Sequence, residues 1–253
     1  MLRLLREPLI VFRNMSRWQH LYYWLLPLLA GWLFTAMYFS GVSWMQEIIA
    51  PASNREFGLL ENLGAVLIVC SFFVVLKISM LPMKPVFKVF GVLACLVTVV
   101  MFLEEIDYGL HFIEWMKGIP HGEGLQIRNL HNRGNNTNNL KTVAYVTLLS
   151  MFMIMPYVDS LKRHRLGKVL GPSKMILLTV LATALVALLH EALDPYGLPS
   201  NGSLDSNQSE FEEVVIYYTF FVYFREKYIQ FRKSPELLTD WARSRGARSK
   251  GEG

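Results

Sequence analysis

Glu104, Asp107, His111 and Glu114 recur at intervals of three and four residues just past a seventeen-residue apolar run, 86–102, interrupted only by Lys88 and Thr98. If the helix of that run continues, about 100° of turn per residue sets all four on one stripe less than a quarter-turn wide. Ionisable groups are costly to hold beside an apolar span, so such a stripe points to function before it points to solubility. Similar groups stand at the ends of other apolar runs: Glu61 with Asn62, Glu105 beside Glu104, His190 with Glu191 and Asp194, and Glu210 with Glu212 and Glu213. Glu210, Glu213 and Tyr217 share one helical face at i, i+3 and i+7. His131 comes from a long connection, between Asn129 and Asn132.

Carboxylate and imidazole together offer hard oxygen and borderline nitrogen donors, a set suited to a divalent metal such as zinc, iron or manganese. The expected arrangement has Glu104, His131, His190 and Glu213 as metal ligands and Glu105 or Glu61 as general base. Asp107, His111, Asn129, Asn132, Glu191 and Glu210 complete the surroundings. A metal in such a setting activates water near neutral pH. The chain contains no His-Glu-x-x-His, Glu-x-x-His or Cys-x-x-Cys pattern, so spacing alone does not identify the site. Glu114, Glu123, Asp205 and Glu210 also read as solvated helix ends, and His190 as an interfacial histidine.

The elements that must position these groups are membrane helices. Hydrophobic residues make up 53% of the 253 and charged ones 18%, against about 25% charge in a soluble domain. Six apolar runs, 21–37, 59–81, 86–102, 142–158, 175–189 and 214–224, approach the length of about 20 residues needed to cross a bilayer. The last crosses only if its helix takes in Glu212 and Glu213 at one end and Arg225 at the other. The fold class expected is therefore all-α: a polytopic membrane bundle of about six helices. Residues 1–20 form an interfacial amphipathic segment, 21–230 the membrane domain with a long outer loop at 104–141, and 231–253 a basic tail.

Orientation follows from the basic residues. With six crossings, Arg3, Arg6, Arg13 and Arg17, Lys77, Lys84 and Lys88, the 162–174 connection and the tail all fall on one side. Both termini are expected in the cytoplasm, with the acidic residues outside. The basic balance then describes a rim facing anionic lipid, not a nucleic-acid surface. Cys70 and Cys95 lie inside apolar runs and read as small core residues without disulfide or zinc spacing.

The stretch Glu104-Glu105-Ile106-Asp107-Tyr108-Gly109, followed by Asn129-Leu130-His131-Asn132, resembles a group of bacterial multi-pass proteins of uncharacterised activity. Those proteins carry Glu-Glu-Ile-Ser-Trp-Gly-Gln-Arg after a span and Asn-Leu-His-Asn some way downstream. They also tend to have a Glu opening an earlier span and a Glu-x-x-Glu pair opening the last, here Glu61 and Glu210 with Glu213. Asp107, Tyr108, Leu110 and His111 depart from that pattern. The resemblance implies a shared outer site and a bacterial inner-membrane location, without naming a reaction.

Three functions fit these residues. The first is a metal-assisted hydrolase or transferase acting on a lipid or lipid-linked substrate. The second is a non-catalytic membrane subunit whose acidic outer face docks a membrane or extracytoplasmic protein. The third is a proton- or cation-coupled carrier using Glu61 and Glu213.

Overall fold

The structure, a computed structural model, describes residues 10–49, 58–119, 146–147, 149–158, 165–193 and 204–239. Among them regular structure is helical throughout. The helices are α1 (Arg17–Tyr38), α2 (Ser43–Ile49), α3 (Leu59–Ser79), α4 (Pro85–Glu105), α5 (Leu110–Lys117), α6 (Arg165–Leu170), α7 (Ile176–Leu193), α8 (Leu204–Lys233) and α9 (Glu236–Thr239). A π-helical turn, Leu149–Ile154, and a 3-10 turn, Met155–Tyr157, represent the fourth apolar run. Among the described residues three helices, α1, α3 and α4, are long and apolar enough to cross a membrane.

α1 begins four residues ahead of its apolar run because Ser16 caps it. The Gln19 N–H donates to the Ser16 hydroxyl at 3.3 Å, and the Ser16 N–H donates to Gln19 Oε1 at 2.8 Å, a reciprocal capping box. The helix then widens to a π turn over Leu21–Leu25, where the Leu26 N–H reaches the Leu21 carbonyl instead of that of Tyr22. Pro27 in turn has no N–H to give the Tyr23 carbonyl. Both orphaned carbonyls find partners on other helices. The Tyr218 hydroxyl donates to Tyr22 O at 2.5 Å, and the Thr179 hydroxyl donates to Tyr23 O at 2.7 Å. A local irregularity thereby ties α1 to α7 and α8, in surroundings where unsatisfied backbone groups are costly.

α8 is the axis of the fold. It contributes Phe211, Val214 and Val215 to one buried cluster, Val222 and Tyr223 to a second, and Phe231 to a third. Its most extensive contact is with α3, which pairs in turn with α4; α7 packs against both α8 and α1. Tyr217 lies over Gly64 near the start of α3, and Phe231 packs with Ile78 near its end, so α3 and α8 run in the same direction. α4 runs opposite to both, with Glu105 near Tyr217 and Phe87 near Phe231. α1 and α7 share a direction opposite to α8. Their close approach is at Gly31, where an added Cβ would lie 2.6 Å from Val186 and 2.8 Å from Phe211.

The perimeter is apolar. Val89, Leu93, Leu96, Val97 and Val100 on α4, Leu29 and Leu33 on α1, and Leu181, Leu185 and Leu188 on α7 are all exposed. Such a belt is far larger than the apolar patches soluble surfaces carry. Cys70 lies on this exposed surface and Cys95 is half-buried, both free thiols, which corrects their reading as core residues.

The single stripe expected past α4 does not form. α4 ends at Glu105, and Tyr108 takes φ 54° and ψ 26°, followed by Gly109 at φ 80°. This left-handed step resets the helical phase before α5, so Glu104 and Glu114 no longer share one continuous face. The physical reason is the Asp107-Tyr108-Gly109 turn, in which glycine accepts positive φ readily. Glu114, expected as a possible solvated end, is buried, at 5% exposure.

Candidate functional site

Three helices bring carboxylates to one end of the bundle. Glu61 lies in the first turn of α3, Glu105 is the last residue of α4, and Glu213 lies on α8 one turn before Tyr217. Tyr217 is their common neighbour. Its hydroxyl donates to Glu105 Oε2 at 2.7 Å, and Glu213 and Glu61 lie near the phenol. Gly64 makes the arrangement possible. A Cβ there would overlap the Glu105 carboxylate and come within 3.3 Å of the Tyr217 ring. The carboxylate therefore rests on bare α3 backbone, one turn beyond Glu61.

Glu104 takes a different partner. Its carboxylate accepts a hydrogen bond from the Tyr108 hydroxyl, within the turn that ends α4. That bond, with some burial and the carboxylate's charge, holds the Tyr108 phenol above its ordinary pKa. The adjacent carboxylates thus divide: Glu105 faces α3 and α8, and Glu104 braces the left-handed turn.

Below the carboxylates lies an apolar cavity of about 270 Å³. Ile68 and Ser71 of α3, Ala94, Thr98 and Met101 of α4 and Phe220 of α8 line it, with Tyr217 at one end. The hydroxyls in its wall are satisfied within their own helices: Ser71 donates to Leu67 O at 2.8 Å and Thr98 to Cys95 O at 2.8 Å. Its interior therefore presents hydrocarbon, and the Tyr217 ring in its wall carries the hydroxyl that reaches Glu105.

Of the expected site residues, Glu61, Glu105 and Glu213 come together and Glu104 stands one residue aside. For Asp107, His111, His190, Glu191 and Glu210 the backbone alone is described, and His131, Asn129 and Asn132 lie outside the described residues. Among the described residues no group of three or more His, Cys, Asp or Glu side chains is placed to hold a metal ion. The sequence reading did not pick out Gly64, although a lone glycine three residues after Glu61 inside an apolar run was a signal of close helix approach.

A second polar group, also unassigned from sequence, occupies the opposite end of α8. The half-buried Glu226 carboxylate accepts hydrogen bonds from the hydroxyls of Tyr23 and of Ser173, the latter at 2.6 Å. Lys227, 4% exposed, donates from Nζ to Gly171 O at 2.5 Å and to Gln230 Oε1 at 2.9 Å. Its signal was a Glu-Lys pair among aromatics at the end of a span.

No protein-family model, curated protein or solved structure matches the chain.

Proposed function

We propose that the chain is a six-span protein of the bacterial inner membrane with both termini cytoplasmic, and that its acidic end is a hydrolase or transferase site for a lipid or lipid-linked substrate. The observation that carries this reading is Tyr217, which joins a carboxylate cluster to an apolar cavity. A lipid chain in the cavity would bring the substrate's polar group to Glu105, and Tyr217 would orient that carboxylate. The alternation of helix directions from α1 through α8 supports six crossings once the fourth apolar run is counted.

In this reading Glu105 or Glu61 is the general base toward a hydroxyl or water above the cavity. Glu213, with His131, His190 and Glu104, offers the donor chemistry for zinc, iron or manganese. The histidines are essential to that set, because the described carboxylates form no ligand group by themselves. Such an ion would supply Lewis acidity near neutral pH.

The full chain, purified in detergent, would be assayed for hydrolysis and group transfer on labelled phospholipids and polyprenyl phosphates, with elemental analysis in parallel. Glu105→Gln should lower turnover about a hundredfold or more while co-purifying lipid remains. His131→Ala and Glu213→Gln should each lose bound metal. A metal-free, lipid-free protein without turnover, isolated with a fixed protein partner, would instead establish the docking subunit.

A further inference from the structure

We propose that the cavity at the basic end of α8 binds a phosphate group. This site is separate from the acidic cluster and does not depend on it. The cavity, about 570 Å³, lies between the first turns of α1, the link 171–175 ahead of α7 and the last third of α8. That volume is typical of small-molecule sites.

The wall carries Arg225, Lys227 and Lys233 against one carboxylate, Glu226. Glu226 is already engaged by two hydroxyls, and among the described residues no ion pair joins Arg225 or Lys233 to an acid. Lys227 is the built element of the site. Its ammonium has three hydrogens; two go to the Gly171 carbonyl and the Gln230 amide, both neutral, in a position almost closed to solvent. A buried ammonium is costly without a compensating anion nearby. Glu226 answers part of that need, and an anion in the cavity answers the rest.

Arg225 is held in place by the Tyr22 ring, 4.8 Å from guanidinium carbon to ring centroid. A guanidinium packed on a ring keeps its in-plane donors for a partner, and those donors match phosphate oxygens in pairs. Lys233, exposed, adds a point charge to the lining. Trp18, 70% exposed, stands on the rim, the usual place of tryptophan where a membrane meets water. The shared chemistry is a phosphate ester, supplied either by an anionic lipid headgroup or by a soluble phosphate; the rim tryptophan favours the headgroup.

The test uses the full chain in neutral detergent micelles and follows tryptophan fluorescence, with Trp18→Phe identifying the reporting residue. Phosphatidylglycerol, phosphatidylcholine and inorganic phosphate are titrated separately at matched ionic strength. A saturable response to phosphatidylglycerol that exceeds that to phosphatidylcholine and resists inorganic phosphate identifies a headgroup site. A saturable response to inorganic phosphate that competes with the lipid identifies a soluble ligand. In either case Arg225→Gln combined with Lys233→Gln should weaken binding about tenfold or more. These positions are at the surface or half-buried, so this variant stays informative if Lys227→Met fails to fold. No saturable response to either probe, or one unchanged in the double variant, overturns the proposal.

Discussion

Tyr217 and Glu105 act as one unit, joined by the hydrogen bond between the phenol and the carboxylate. Tyr217→Phe keeps the ring over Gly64 and the cavity but removes the donor to Glu105. It should cost about 1 kcal/mol of stability, read as a lower melting temperature in detergent. Combined with Glu105→Ala, which takes away the acceptor, the loss should fall short of the sum of the two single losses, because each removes the same hydrogen bond. Gly64→Ala is the more disruptive change. Its methyl would occupy the space of the Glu105 carboxylate, so this variant should lose the Tyr217 coupling as well as stability, measured by repeating the cycle in that background. The identity of the carboxylates was legible in sequence, since acids beside apolar runs stand out. Their partners were not. Neighbouring Glu104 and Glu105 look equivalent in sequence, yet one braces Tyr108 and the other crosses to α8.

At the scale of elements, α1 supplies the clearest test. The Thr179 hydroxyl answers the Tyr23 carbonyl, which Pro27 cannot. Thr179→Val, nearly equal in volume, should destabilise the fold by about 1–3 kcal/mol by stranding that carbonyl. Pro27→Ala restores an N–H to the helix, so Thr179→Val should cost less in the Pro27→Ala background, a difference that denaturation of the paired variants would measure. Gly31→Val drives methyls into Val186 and Phe211 at the crossing of α1 with α7. Overpacking of that kind should lower stability by about 1–3 kcal/mol, visible as loss of folded protein in size-exclusion profiles. The helices themselves were readable as apolar runs, but not their ends. Ser16 extends α1 backward, and the left-handed Tyr108 stops α4 and breaks the stripe that the spacing of four residues had implied.

The whole molecule is polarised. Glu61, Glu105 and Glu213 gather at one end of the bundle, while Lys77, Lys84, Lys88 and the last turns of α8 gather at the other. In a background without Cys70 and Cys95, single cysteines at positions 117 and 236 should be labelled by an impermeant reagent from opposite faces of oriented vesicles. Labelling of both from one face would remove the six-span topology. A ligand for each end is also expected to stabilise the whole bundle, because α8 runs through all three buried clusters and links the two ends. Thermal melts with phosphatidylglycerol should therefore shift upward in wild type and less in the Arg225→Gln, Lys233→Gln variant.

The sequence alone determined the helical class, the apolar runs and the distribution of acid and base along the chain, because hydropathy and charge belong to each residue wherever it lies. Only the tertiary structure decided that α3, α4 and α8 meet so that Glu105 rests on Gly64 beneath Tyr217, and that Lys227 is buried beside the half-buried Glu226. Those outcomes depend on how each helix is rotated about its axis and which neighbour it faces. Side-chain volume and backbone carbonyls without helical partners settle that rotation through contacts between residues far apart in the chain.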